Sequence, residues 1–215
     1  PAGFLRGAVA AIKRAGGLFI ADEVQPGFGR TGEHLWGFQR HDVAPDIVTM
    51  GKPMGNGQPI AGLLATADVL AEFGKTSRYF NTFAGNTVSC VAALAVLDTI
   101  ARDRLVQHAA KVGKVLHDGI AALAGRYEAI GEVRGAGLFV GVELVSDRAS
   151  RAPDRELTSQ VVNRMRDKGV LISACAMGYN VLKIRTPLVL TADQAGLVIQ
   201  AVDESLAEAQ AAGRR

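Results

Sequence analysis

Two short apolar runs, each broken off by a residue of different chemistry, constrain this chain more than any other feature. Leu18-Phe19-Ile20-Ala21 ends in the carboxylate of Asp22, and Ile47-Val48-Thr49-Met50 runs through Gly51 into the amine of Lys52. Runs this short and this apolar read as strands buried on both faces, as the strands of a parallel sheet are. In open α/β sheets ligands gather at the carboxyl ends of the strands. Asp22 and Lys52 both stand at such ends.

The neighbouring segments fit the same plan. Gly7 to Ala15 carries an amphipathic helical pattern that Gly16-Gly17 stops, Pro26 to Gly32 reads as a loop, and Ile60 to Thr66 gives a third strand. Strands alternating with helical segments predict an α/β fold with a mostly parallel sheet. From Val88 to Ile100 apolar residues occupy almost every side of a helix, which predicts a helix buried between layers. The pattern changes near Arg102. Residues 1–102 are expected to belong to a larger sheet-bearing domain, and residues 103–215 to form a smaller α+β domain. Its expected elements are a strand over Gly137 to Leu144, a helix near Glu156 to Lys168, strands near Val170 to Ser173 and Val181 to Ile184, and a last helix from Ala192.

Bulk composition closes off several functions. Aromatic residues make up 6% of the 215 residues, too few for a stacking platform that holds sugars or single-stranded nucleic acid. The net charge is +3, with basic residues scattered among acids, so neither nucleic acid nor a membrane surface is an expected partner. Cys90 and Cys175 lie far apart and the four histidines never pair at metal-ligand spacing, so buried free thiols and no metal are expected. No apolar run is long enough to span a bilayer and the opening residues lack the apolar core of a signal peptide, which leads to an expected cytoplasmic location.

A strand-end acid and a strand-end lysine are what pyridoxal phosphate (PLP) asks of a protein. The lysine forms the imine, and the acid keeps the pyridine nitrogen protonated so that the ring can act as an electron sink. Either residue alone is a weak signal, since strand-end acids commonly cap loops and most lysines are solvated. Lys52, however, lies between an apolar run and the turn Pro53-Met54-Gly55-Asn56-Gly57, where glycines allow a planar cofactor to approach. A nucleotide phosphate loop places its lysine after the glycines, so this order does not fit one.

The run Leu18 to Gly62 resembles the central signature of class III aminotransferases, with an Asp-Glu-Val-Gln strand end followed by a strand-Gly-Lys turn. The resemblance implies PLP fold type I, a homodimer with shared active sites, and amino transfer between an amine or amino acid and a keto acid. It also implies that Asp22 pairs with the pyridine nitrogen, Val24 packs on the ring, Gln25 bonds near the ring oxygen, and Lys52 holds the cofactor as a Schiff base. Tyr79 to Asn86 is similar to the family's Thr-Phe-Gly-Gly-Asn motif, so Thr82 would donate to the cofactor phosphate of the neighbouring subunit. Ala84 replaces the first glycine there, and Thr87 stands where proline is usual.

In many family members an arginine that grips the substrate carboxylate stands where this chain has Lys183, and Arg185 follows two residues on. Lysine cannot make the two-pronged contact of a guanidinium. A pair of cations suits a phosphorylated substrate, and the stretch resembles the branch that holds alanine-glyoxylate aminotransferase 2-like enzymes and ammonia-phospholyases. A phospholyase acting on a phosphorylated amino alcohol is therefore the alternative activity. Family members are about twice this length, and the glycine-rich phosphate cradle of their N-terminal half has no counterpart in the sequence. Pro1 to Leu5 resembles the middle of a family loop, so the chain is expected to be truncated, and an inactive fragment retained for assembly is a third reading.

Overall fold

In the computed structural model residues 3–213 are described; Pro1 and Ala2 of the loop likeness, and Arg214-Arg215 at the end of the alanine-rich tail, lie outside them. The chain divides into two compact units, Pro1–Val106 and Gln107–Arg215.

In the first unit, α1 (Arg6–Arg14) leads into β1 (Ile20–Asp22), and β2 (Ile47–Met50) pairs with β1 in parallel, Ile20 opposite Ile47 and Asp22 opposite Thr49. Asp46 fastens this start. Its carboxylate accepts the Phe19 N–H at 2.7 Å and pairs with the Lys13 ammonium, tying α1 and the approach to β1 onto the first residue before β2. No α-helix crosses from β1 to β2. The connection is a chain of turns with one 3₁₀ helix, Gly37–His41, held by Phe28, whose buried ring meets Trp36 edge-on at 5.2 Å. Trp36 therefore packs on a residue of the preceding turn.

After β2 a tight 3₁₀ turn, Lys52–Gly55, returns the chain as β3 (Gly62–Ala65), antiparallel to β2. The fold class is α/β as expected, but the sheet is mixed. A turn this short cannot make the crossover that a parallel partner needs. The helices α2 (Ala67–Thr76) and α3 (Thr87–Arg102) complete the unit.

Two burial expectations are corrected here. α3 buries only Ser89, Ala93 and Ile100, while Val88 and Val91 stand 68% and 59% exposed, and Ile20 of β1 is 54% exposed. Val88 and Val91 lie off the α3 face that carries Ser89, Ala93 and Ile100, so apolar side chains that the sequence assigns to an interior face outward. Cys90 and Cys175 are free thiols, half-buried and not fully buried.

The second unit has a closed core of its own. α4 (Leu105–Leu123) precedes β4 (Ile130–Ala136), β5 (Phe139–Asp147), β6 (Ala152–Pro153), α5 (Arg155–Asp167), β7 (Ser173–Cys175), β8 (Val181–Ile184) and α6 (Ala192–Gly213). The strands form an antiparallel sheet in the order β4-β5-β8-β7, with β6 on β5. Val140, Val142 and Leu144 alternate along β5 and share one face with Leu182 and Ile184. On that face lie Ala109, Val112, Leu116, Ile120 and Leu123 of α4, spaced at three and four residues as one helical stripe, with Met165 of α5 and Leu206 of α6. The guanidinium of Arg148 donates to the carbonyls of Ala124, Tyr127 and Ile130 at 2.9–3.0 Å, fastening the turn that carries α4 into β4.

One contact sets how closely α4 approaches the sheet. A Cβ on Gly113 would lie 2.2 Å from the carbonyl of Gly137, in the turn between β4 and β5, so backbone meets backbone there. Gly113→Ala is expected to destabilise the second unit by about 1–3 kcal/mol, read from chemical denaturation, because neither backbone can move aside freely.

The Asp46 clamp carries a pH signature. Its pKa is lowered, first by the hydrogen bond from Lys13 and then by that from Phe19 N–H. A carboxyl group depressed in the folded state contributes stability that is present above the unfolded value, near pH ~4, and lost as pH falls through the lower folded value. Asp46→Asn is accordingly expected to lower the unfolding midpoint at pH 7, with the gap from wild type narrowing below pH ~4.

Candidate active site

The parallel pairing of β1 and β2 brings Asp22 and Lys52 to the same sheet edge. Asp22 is the last residue of β1 and lies opposite Thr49; Lys52 follows Thr49 by three residues, about 10 Å of extended chain. Both side chains are exposed. Lys52 also has a φ of +31°, rare for a residue with a side chain, so the turn holds it in a strained conformation at the end of the strand.

Val24 belongs to the same edge. Its Cγ2 lies 3.9 Å from where a Cβ on Gly51 would be, beside the Lys52 turn. The Val24 N–H donates to Asp22 Oδ1 at 3.1 Å, folding the chain back just past the carboxylate. Gln25 is half-buried in the turn that follows.

The residue that sets this strand end is one that sequence reasoning passed over. Glu23 is 2% exposed, and its two carboxylate oxygens accept the backbone N–H groups of Gly37 at 2.7 Å and Phe38 at 2.8 Å. It binds the end of β1 to the start of the 3₁₀ helix. The available signal was its position: Glu23 is two residues from buried Ala21 and so points to the same, inner side of the strand. A charge placed there demands partners.

Thr82 lies exposed in a turn that precedes α3. The helix is capped by Asn86, whose Oδ1 accepts from Val88 N–H at 3.1 Å and Ser89 N–H at 3.2 Å, so Thr82 is not the capping residue. Lys183 and Arg185 belong to the second unit. Lys183 is half-buried in β8 opposite Gly141 and Ser173, on the sheet face away from the Leu182 and Ile184 core. Arg185 follows the strand and borders an apolar pocket of about 410 Å³ that Leu171, Val189 and Leu197 also line.

The profile of the class-III aminotransferases matches residues 1–206. The chain belongs to that family. Enzymes of this family use PLP. The chain is 46% identical over 206 residues to the mitochondrial alanine–glyoxylate aminotransferase 2 homolog 2 of Arabidopsis thaliana, covering 96% of this chain and 43% of that protein. It is 37% identical over 209 residues to the human mitochondrial alanine–glyoxylate aminotransferase 2, covering 97% of this chain and 41% of the human protein. Among solved structures it resembles an Arthrobacter phospholyase in complex with phosphoethanolamine, with a TM-score of 0.92, 45% identity, and coverage of 96% of this chain and 49% of that one. The chain thus spans less than half the length of these relatives.

The expected cytoplasmic location does not stand, because both curated relatives are mitochondrial proteins. Among the described residues no helix is long and apolar enough to cross a membrane, which bears on spanning alone and not on compartment.

Glu23→Gln supplies one carbonyl oxygen in place of two carboxylate oxygens and sets an amide NH₂ against a buried N–H. A loss of about 2–4 kcal/mol is expected, together with faster proteolytic cleavage between residues 24 and 41 than in wild type.

Proposed function

We propose that this chain forms part of a PLP-dependent aminotransferase that moves an amino group from an amine or amino acid to a keto acid. The observation that carries this reading is the placement of Asp22 and Lys52 at the carboxyl ends of two adjacent parallel strands. Residues 1–102 are read as the later part of the cofactor-binding large domain, and residues 103–215 as the small C-terminal domain.

Bound PLP supplies a ring that takes up the electron pair released when a bond to the substrate α-carbon breaks. The residues of this chain do the rest. Asp22, ionised, would pair with the protonated pyridine nitrogen and hold the proton there. Val24 would press on the ring face, and Gln25 would donate near the ring oxygen. Lys52 would hold the cofactor covalently, then, once released and neutral, take a proton from the substrate α-carbon and return it, acting as base and then acid. In a homodimer Thr82 would donate its hydroxyl to the cofactor phosphate in the neighbouring subunit. Its exposure, and that of Val88 and Val91 on the helix behind it, supports a second surface packing on this side of the unit.

A second reading is favoured by the likeness to the Arthrobacter phospholyase and by the charge at positions 183 and 185. In it Lys183 and Arg185 would receive a substrate phosphate, and the same Lys52 chemistry would end in loss of ammonia and phosphate from a phosphorylated amino alcohol. Two neighbouring cations suit a doubly charged phosphate, while a single guanidinium fork suffices for a carboxylate.

Borohydride treatment of the PLP-loaded, full-length protein should add the cofactor's mass to the peptide that contains Lys52; label on another lysine refutes the assignment. Asp22→Asn should keep some cofactor yet lose turnover, since a neutral partner no longer holds the ring nitrogen protonated. To separate the two activities, the full-length protein is given phosphoethanolamine without a keto acid. Amino transfer to pyruvate or glyoxylate with no phosphate released supports the transaminase, and steady release of phosphate and ammonia supports the lyase.

A further inference from the structure

We propose that a pocket beside the end of β1 holds ordered water bound by Thr31 and His41. The pocket has a volume of about 210 Å³, and its walls include Asp22, Glu23, Thr31, Phe38 and His41. Thr31 is 6% exposed, and its Oγ1 is buried with no hydrogen-bond partner among the described residues. The same holds for Nδ1 of His41 at the end of the 3₁₀ helix. Two buried polar atoms without partners on the wall of one pocket form an unlikely native arrangement, since each would carry the full cost of its lost hydration.

Water meets the requirements of both atoms. The volume is far above the ~10–15 Å³ that one water needs, and a buried water commonly makes about three hydrogen bonds. It can donate or accept, so it serves the threonine hydroxyl in either orientation and the imidazole nitrogen in either tautomer. Burial, reinforced by the neighbouring Arg40, pushes the His41 pKa down, which keeps the ring neutral and needing a neutral partner. Glu23 offers a third contact, because each carboxylate oxygen has used one acceptor site on Gly37 or Phe38 and has another.

The water makes Thr31 and His41 positioning residues. It would join the turn at Thr31 to the far end of the 3₁₀ helix whose start Glu23 already holds, so the segment after Asp22 is fixed at both ends. Its bearing on the cofactor rests on the reading given above, since Asp22 lines the same pocket.

The test is a high-resolution crystal structure of the full-length, PLP-loaded protein, with Thr31→Val and Thr31→Ser alongside. The expected result is a water peak at about 2.7–3.2 Å from both Thr31 Oγ1 and His41 Nδ1; a dry pocket overturns the proposal. Thr31→Val keeps the side chain's shape and removes the hydroxyl. It should lose that water and lower the thermal midpoint by about 2 °C or more, whereas Thr31→Ser should keep the water. An unchanged or raised midpoint in Thr31→Val means that the hydroxyl had no partner, and overturns the proposal as well. Replacing sodium and potassium by choline should leave the midpoint unchanged; a drop would assign the pocket to a cation. The absorption band of bound PLP is followed in the same samples. Its absence from wild type would defeat the cofactor reading while the water peak still decides this one.

Discussion

The candidate site depends first on the parallel pairing of β1 with β2. A slip of one residue in that register would turn every side chain of one strand to the opposite face, and Asp22 would no longer share an edge with the Lys52 turn. Three carboxyl contacts, one buried, one half-buried and one exposed, guard the register from different sides. Asp46 holds the approach to β1 against the start of β2, Glu23 holds the end of β1 against the following 3₁₀ helix, and Asp22 turns its own backbone through Val24. Only Asp22 remains exposed to act on a ligand. Two acids are consumed in placing the third.

The sequence made this edge legible because the strands around it are apolar, short and ended by charged residues. β8 was legible for a similar reason: Val181-Leu182-Lys183-Ile184 is a short apolar run with a single charge, which faces away from the Leu182 and Ile184 core. β4 was not. Its sequence, Ile-Gly-Glu-Val-Arg-Gly-Ala, offers two large apolar residues among glycines and charges, and it is a strand because β5 pairs along its length. The position of Glu23 signalled burial but not its partners, which are backbone groups fourteen and fifteen residues away, a separation that no local pattern reports.

The burial expected for β1 and α3 failed for an instructive reason. Apolar periodicity states how much surface a segment is built to bury, but not whether the partner lies in the same unit. α3 has apolar residues on nearly every side, yet the elements packed on it cover one face. The second unit shows the opposite case: the stripe on α4 and the inner face of β5 meet in one cluster, and pattern and burial agree.

That difference between the units bears on how the chain acquires its structure. Within the second unit β5 and β8 pair over a longer separation, Val140 opposite Ile184, whereas α4, β4 and β5 follow one another directly and the hairpin between β4 and β5 turns at Gly137. Local connections of this kind form quickly, because little loop entropy is spent before native contacts accumulate. The first unit must instead bring β2 to β1 across the whole stretch from Glu23 to Asp46 before its parallel ladder can close. Refolding would then begin at the β4–β5 hairpin, with both the β5–β8 pairing and the strand edge that carries Asp22 and Lys52 assembling later.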